Sequence, residues 1–375
     1  MNVGIIGVGL LGSKHAKVIS KQRDTQLTGV ADSRAGTAEK IAAEEGCRAY
    51  SDYRALLRSE PLDCVIVATP DPFHRDPVID AARAGISTII TEKPLATTPA
   101  DAKKMQNAVL KAGSSLYILF PNRFDPLDRV TRYAFAHDLI GAPVHGDVRL
   151  DDSITVPKQL WGRRSRKWSA GSSTAHFLLS HVVDLLRWYF QPAEIVEVFA
   201  VSQNAVLGFT PDLYDAFLTF DSGLTVRVKA EWIRHIEALV EFELTFSGER
   251  GGIVYRKHPA FASRRGLRLD VDGASQTALT RHLKRLGGQG IHGRVVLDPD
   301  GRSPGAIEFR TEENPQDESV ALAHYLRTIA EKRINVAIEG FGPLPGLDDA
   351  MRQIEVVAAI IRSAEKGRVV PVRQS

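Results

Sequence analysis

Short apolar runs alternate with helical stretches over the first 120 residues. Runs at 3–6, 27–31, 62–68, 88–91 and 116–120 are rich in Val, Ile and Leu, as expected for strands covered on both faces. Between them, residues 13–20, 35–45, 77–84 and 99–112 carry helical patterns, and 50–57 reads as a short helix after a strand around Ala49. This alternation predicts a parallel, doubly wound sheet with helices on both faces. Ligands of such sheets lie beyond the carboxyl ends of the strands. Gly9, Asp32, Thr69 and Lys93 all fall at such ends.

The pattern changes at Pro121, so the chain divides into residues 1–121 and 122–375. A helix is expected at 125–138, a strand at 144–150, an irregular segment at 161–173 and an almost wholly apolar helix at 176–190. Alternating runs at 195–201, 216–220, 224–232 and 242–247 predict antiparallel strands, with Asp221-Ser222-Gly223 as a hairpin turn. Residues 256–305 are rich in Gly and Arg, and their pairing has no reading from the pattern. Amphipathic helices follow at 319–332 and 347–366, with a last strand at 368–372. The fold class is therefore α/β: a doubly wound parallel sheet, then an α+β domain with an open, mainly antiparallel sheet.

The first strand runs into Gly7, Gly9 and Gly12, a G-x-G-x-x-G turn enclosing Leu10 and Leu11. Such a turn lets a pyrophosphate approach the backbone, and the following helix aims free N–H groups at it. Asp32 ends the second strand twenty residues after Gly12, where a carboxylate accepts from ribose hydroxyls. A carboxylate there favours NAD, whereas Arg34, two residues on past Ser33, leaves NADP open.

At 375 residues the length suits two domains. A net charge of +3 demands no nucleic-acid partner and excludes no acidic small substrate. Two cysteines, Cys47 and Cys64, give no disulfide framework and point to a reducing, cytoplasmic setting. No signal-peptide pattern precedes the first strand, and no apolar run reaches the ~18 residues of a membrane span. No His, Cys or Asp cluster has metal-ligand spacing.

With these residues in hand, the chain resembles the Gfo/Idh/MocA family of NAD(P)-dependent oxidoreductases. The likeness rests on the glycine turn, on Ala68-Thr69-Pro70 followed by Phe73 and His74, and on Glu92-Lys93-Pro94 at the end of the fifth strand. It continues in Asn122-Arg123-Phe124-Asp125-Pro126 and in the closing helix after Pro345. It implies a Rossmann domain whose cofactor contacts come from these segments, Asn122 included. It also implies a homodimer or homotetramer formed through the open sheet, and oxidation or reduction of a hydroxyl carbon of a sugar, inositol or sugar acid. In the family's second signature a glycine turn precedes an Asp, a His four residues later and another Asp three beyond. Here Gly171-Ser172-Ser173, His181 and Asp184 match, but Phe177 stands where the first Asp belongs.

Oxidising an alcohol requires a base for the hydroxyl proton, and histidine or a tuned lysine suits neutral pH. His181 and Lys93 are the two catalytic candidates. Phe177, one turn before His181, is expected to desolvate the imidazole and keep it neutral. A core histidine and a surface lysine paired by Glu92 are the plain alternatives. Between Trp161 and Trp168, Arg163, Arg164, Arg166 and Lys167 could grip an anionic substrate group, and a solvated loop or intersubunit contact fits equally. Arg123, His176 and Tyr214 are weaker substrate candidates, and packing or surface fits each equally. Besides a dehydrogenase, an NAD-dependent glycosidase and a non-catalytic NAD-binding regulator remain open.

Overall fold

A computed structural model describes residues 1–160, 162–259, 265–297, 305–310, 318–331 and 342–373. The chain opens with β1 (Asn2–Ile6), α1 (Leu10–Ile19), β2 (Gln26–Ala31), α2 (Thr37–Glu45), β3 (Arg48–Tyr50) and α3 (Tyr53–Ser59). It continues with β4 (Cys64–Val67), α4 (Arg75–Arg83), β5 (Thr88–Glu92), α5 (Pro99–Ala112) and β6 (Ser115–Leu119). The six strands pair in the order β3-β2-β1-β4-β5-β6, all parallel, which is the doubly wound order expected. All four residues of β4 and all five of β5 are buried, because helices cover both faces.

The remainder of the chain begins with α6 (Pro126–Ala136), β7 (Pro143–Ser153), α7 (Thr155–Gln159), α8 (Ser165–Ala170) and α9 (Ser180–Phe190). Then come β8 (Ile195–Gln203), β9 (Leu213–Phe220), β10 (Thr225–Arg234), β11 (Val240–Gly248), β12 (Gly251–His258), β13 (Gly266–Val271) and α10 (Gln276–Gly287). β14 (Arg294–Val296), β15 (Gly305–Phe309), α11 (Glu318–Ala330), α12 (Leu347–Lys366) and β16 (Val370–Pro371) complete the described elements. Ten of these strands form one sheet, antiparallel except where β7 runs parallel to β10. Helices α9 and α12 cover its inner face. The outer face carries ion pairs such as Arg227 with Asp147 and Asp215.

Two expectations need correction. Within the segment expected to be irregular, residues 162–170 are helical: a 3-10 turn at Gly162–Arg164 leads into α8, held by Ser169 Oγ donating to the Ser165 carbonyl at 2.8 Å and by the buried Trp168 ring. The apolar helix is broken too. It starts as a π-helical turn at Ala175–Leu179 before continuing as α9. The segment without a reading supplies β13, α10, β14 and β15; Ser275 caps α10 by accepting from the Ala278 N–H.

The end of the chain packs against the first half. Leu322, Tyr325, Leu326 and Ile329 of α11 join the core beneath α1, and Ala350, Met351 and Ile354 of α12 join that beside α5. Tyr325 donates to the Ile118 carbonyl, and the Pro345 carbonyl accepts from the Ile118 N–H at 3.0 Å, closing the free edge of β6. No helix of the described residues is long and apolar enough to cross a membrane.

Candidate active site

The glycine turn is built by contacts that exclude side chains. Gly7 has φ of +90°, and a Cβ there would meet the Ala68 carbonyl oxygen at 2.8 Å; one on Gly12 would lie 1.9 Å from the Gly7 oxygen. These two glycines pack α1 against the ends of β1 and β4. Gly9 differs, since the sole atom near its missing Cβ is Arg34 Nη2 at 3.6 Å. That open side, next to the N-terminus of α1 with Leu10 exposed beside it, is the approach a pyrophosphate needs. The residues present therefore fit a dinucleotide.

Asp32 accepts from the Val8 N–H at 3.2 Å and the Arg34 N–H at 2.9 Å, and is forked by Arg34 Nε and Nη2 at 2.8 and 2.7 Å. Burial pushes its pKa up, but these donors outweigh it and hold the carboxyl below its ordinary range. Thr69 lies partly exposed at its strand end, and Ser33, Pro70 and Phe73 are at the surface. His74 is buried, its ring nitrogens 2.7 Å from the Pro94 oxygen and 2.8 Å from the Thr69 oxygen. It ties the two loops together, and both ring nitrogens are engaged inside the protein. Glu92 is likewise engaged inside, at 2.7 Å from His15 Nε2 of α1.

Lys93 follows β5 and is 8 % exposed; the Lys93–Pro94 peptide bond is cis. Its Nζ donates to the Phe177 carbonyl at 3.2 Å and sits 3.8 Å from the centre of the Phe177 ring. The sequence places that ring against His181; the π-helical turn brings it over Lys93. Trp168 meets Phe177 edge-on at 4.8 Å, and Trp232 from β10 lies 5.5 Å from Trp168, so aromatic rings wall the ammonium.

His181, in the first turn of α9, has Nδ1 at 3.3 Å from Asn122 Nδ2. Burial, then the charges of Lys93 and Lys257, push its pKa well below that of a free imidazole. The ring is neutral across the physiological range. His176 is engaged by Ser173 Oγ at 2.9 Å, and burial lowers its pKa too, against a weaker opposing pull from Asp71.

Other expected site residues lie elsewhere. Arg123 is 3 % exposed and makes a two-armed pair with Asp184, at 2.9 and 2.5 Å, plus a third contact to Asp349 Oδ1 at 3.1 Å. Its donors are committed inside the protein, which corrects its reading as a substrate ligand. Tyr214 is part of the sheet core, the packing alternative of its sequence reading. Trp161 and the side chain of Arg163 lie outside the described residues; Arg166 covers the Phe209 ring at 5.1 Å.

Three groups were not anticipated. Lys257 of β12 is fully buried and paired with Asp128 of α6, close enough to His181 to bias it. Trp232 and Asp152 line the same space. In β7 the inward series Val148, Leu150, Asp152 ends on a carboxylate, the one signal that marks it in the sequence. Burial raises the Asp152 pKa to about 7 against the opposing Lys93 charge.

Residues 1–120 match the family described as "Oxidoreductase family, NAD-binding Rossmann fold", and residues 136–372 its "C-terminal alpha/beta domain". The chain belongs to the Gfo/Idh/MocA oxidoreductase family, and its first 120 residues match that family's NAD-binding fold. Among curated relatives, an inositol 2-dehydrogenase of Rubrobacter xylanophilus is 27% identical over 57% of this chain and 58% of its own length. Another, from Acidothermus cellulolyticus, is 29% identical over 76% of this chain and 79% of its own. Among solved structures, a levoglucosan dehydrogenase in complex with NADH and levoglucosan superposes with a TM-score of 0.76 at 23% identity, covering 100% of both chains. A putative myo-inositol dehydrogenase from Sinorhizobium meliloti gives 0.72 at 19%, again over the whole of both. These two structures are alike in fold.

Proposed function

We propose that this protein is an NAD-dependent dehydrogenase acting on a hydroxyl carbon of a cyclic polyol, sugar or sugar acid. One observation carries the reading: Lys93, after β5, donates at 3.2 Å to the carbonyl of Phe177, which lies one helical turn before His181 at the start of α9. NAD, when bound, supplies the hydride acceptor. Lys93 hydrogen-bonds the substrate oxygen and stabilises the developing alkoxide. Neutral His181 accepts the hydroxyl proton, with Asn122 holding the ring at Nδ1. The names of the curated relatives, inositol 2-dehydrogenases, support the substrate class.

The test is NAD reduction with a panel of inositols, aldoses and uronates, followed as NADH absorbance. Release of an aglycone without net NADH assigns the chain to the NAD-dependent glycosidases. Binding of NAD with neither outcome makes it a regulator.

Assembly through the open sheet belongs to the same reading. Phe199 of β8 faces Phe217 of β9 across the ladder, and they stay 39% and 42% exposed on the outer face. Light scattering of the wild type against a Phe199→Lys/Phe217→Lys variant reads whether the oligomer depends on this patch.

A further inference from the structure

Three consecutive residues, Glu92, Lys93 and Pro94, divide their contacts between a histidine on each side and Phe177 in the middle. Glu92 ends β5 inside the protein, with Oε1 at 2.7 Å from Nε2 of His15, a fully buried residue of α1. On the other side of Lys93, the Pro94 carbonyl lies 2.7 Å from Nδ1 of the buried His74, whose Nε2 is 2.8 Å from the Thr69 carbonyl. Between them Lys93 extends to the Phe177 carbonyl at 3.2 Å.

The two histidines come from two segments at the strand ends where a dinucleotide fits. α1 begins directly after the glycine turn, and Gly7 and Gly12 pack there through backbone contacts too close for a Cβ. His74 closes the stretch that follows β4 and opens α4. His15 Nδ1 has no hydrogen bond among the described residues, so Glu92 is the polar tie that holds this ring. A buried imidazole and a buried carboxylate have both given up hydration, which makes the contact between them costly to break. The backbone of Lys93 is thus held on both sides by side chains rooted outside its own turn. The ammonium depends on that hold, because it ends a flexible four-carbon stem, and a shift at the backbone moves Nζ away from the ring and carbonyl of Phe177.

We propose that His15 and His74 are positioning residues for Lys93: bonded to Glu92 and Pro94, they bracket the lysine and fix its ammonium relative to a dinucleotide seated at α1. This rests on the dehydrogenase reading above. Their part is to place Lys93, not to exchange a proton with the substrate. Misplacing a catalytic group by about 1 Å costs on the order of 10²-fold in rate. The bracket therefore shows in kcat, while NAD affinity, which draws on the backbone of the glycine turn, is spared.

The placement is read on Lys93 itself, without turnover. Wild type, His15→Met and His15→Gln are treated with an amine-directed reagent, and modification of Lys93 and Lys257 is followed on their own peptides. Methionine fills the space of the imidazole without a donor, whereas the glutamine amide can donate to Glu92 in place of Nε2. Lys93 should react slowly in the wild type, faster in His15→Met and near the wild-type rate in His15→Gln. Lys257, fully buried, should stay unmodified in all three, which separates a loosened lysine from an unfolded protein. His74→Leu, which releases the Pro94 carbonyl, should move Lys93 in the same direction. With the best alcohol of the panel, kcat should fall about 10- to 10²-fold in His15→Met and recover in His15→Gln, with NAD affinity retained. If His15→Met exposes Lys257 as well, Glu92→Gln takes its place, keeping the shape and removing the charge, and Lys93 should again react faster than in the wild type. Lys93 labelling that neither histidine variant changes overturns the proposal, as does a His15→Gln protein that behaves like His15→Met. Labelling as expected while no alcohol is oxidised sinks the dehydrogenase reading alone.

Discussion

Phe177 holds Lys93 twice: its carbonyl accepts from Nζ at 3.2 Å, and its ring covers the same ammonium at 3.8 Å. In the resemblance drawn from the sequence this position carries an Asp, which would pair with a cation directly. A carbonyl and a π face orient the ammonium and carry no net charge of their own. Lys93→Met should reduce turnover by about 10²-fold or more while NAD binding is retained. Lys93→Arg should not restore it fully, because the guanidinium spreads its charge over a planar fork and does not present a compact ammonium at the position of Nζ. Steady-state rates beside a cofactor titration check both, and near-normal turnover in either variant removes Lys93 from the chemistry.

Asp32 and Arg34 make the cofactor test sharper than the sequence alone does. The fork from Arg34 already occupies both carboxylate oxygens, so the adenosine ribose must compete with it or share them. Hydrogen bonds to a charged group contribute ~1.5–3 kcal/mol. Asp32→Ala should weaken NAD by about ten- to a hundredfold and NADP by less, since Arg34 is then free for a 2′-phosphate. Dissociation constants for both cofactors decide it; an unchanged preference takes Asp32 off the ribose.

The first half of the fold was legible because its signals are local. Buried β-branched runs, a glycine turn and strand-end residues are all set within about twenty residues of one another. The site was legible only where a motif marked it. Arg123 looked like a ligand because nothing in its neighbourhood shows that Asp184 and Asp349, 61 and 226 residues away, take up its donors. The π-helical turn could not be read either: apolar residues on every side leave no periodicity to show a changed winding. Asp152 was readable in principle, as the polar end of an inward row, but only once the partner strands fixed which face was inward. The packing of α11 and α12 under the first half is decided by chain return, which no local pattern records.

The Arg123 cluster is a structural device with a measurable cost of disruption. Arg123 and Asp184 are buried with Asp349 half-buried beside them, and burial raises the Asp184 carboxyl while Arg123 opposes it. Removing one member leaves an unbalanced buried charge, which costs about 3–5 kcal/mol. Asp184→Leu should lower the unfolding midpoint accordingly. Arg123→Met with Asp184→Leu should lose less than the sum of the two single changes, because the partners act as a unit. Additive losses in urea unfolding rule out the cluster as one unit.

His258 provides a stability test that does not depend on the reaction. It closes β12 next to Lys257, and burial, then the charges of Lys257 and Arg265, push its pKa down to about 3. An unfolded histidine titrates near ~6.5. A group depressed in this way stays neutral in the native state while the unfolded chain takes up a proton. Its contribution to stability is therefore full above pH ~6.5 and is lost as pH falls toward the folded value. The loss amounts to at most about 1.4 kcal/mol per pH unit from this residue. Other groups titrate in the same interval, so the comparison must be between proteins and not between pH values alone. Urea unfolding of wild type and His258→Asn at pH 7 and pH 5 isolates the effect. The variant should fall less than the wild type on acidification, by roughly 1–2 kcal/mol over that interval. Parallel losses in the two proteins would mean that the native site accommodates an imidazolium, and that the Lys257 charge is screened from β12's last residue.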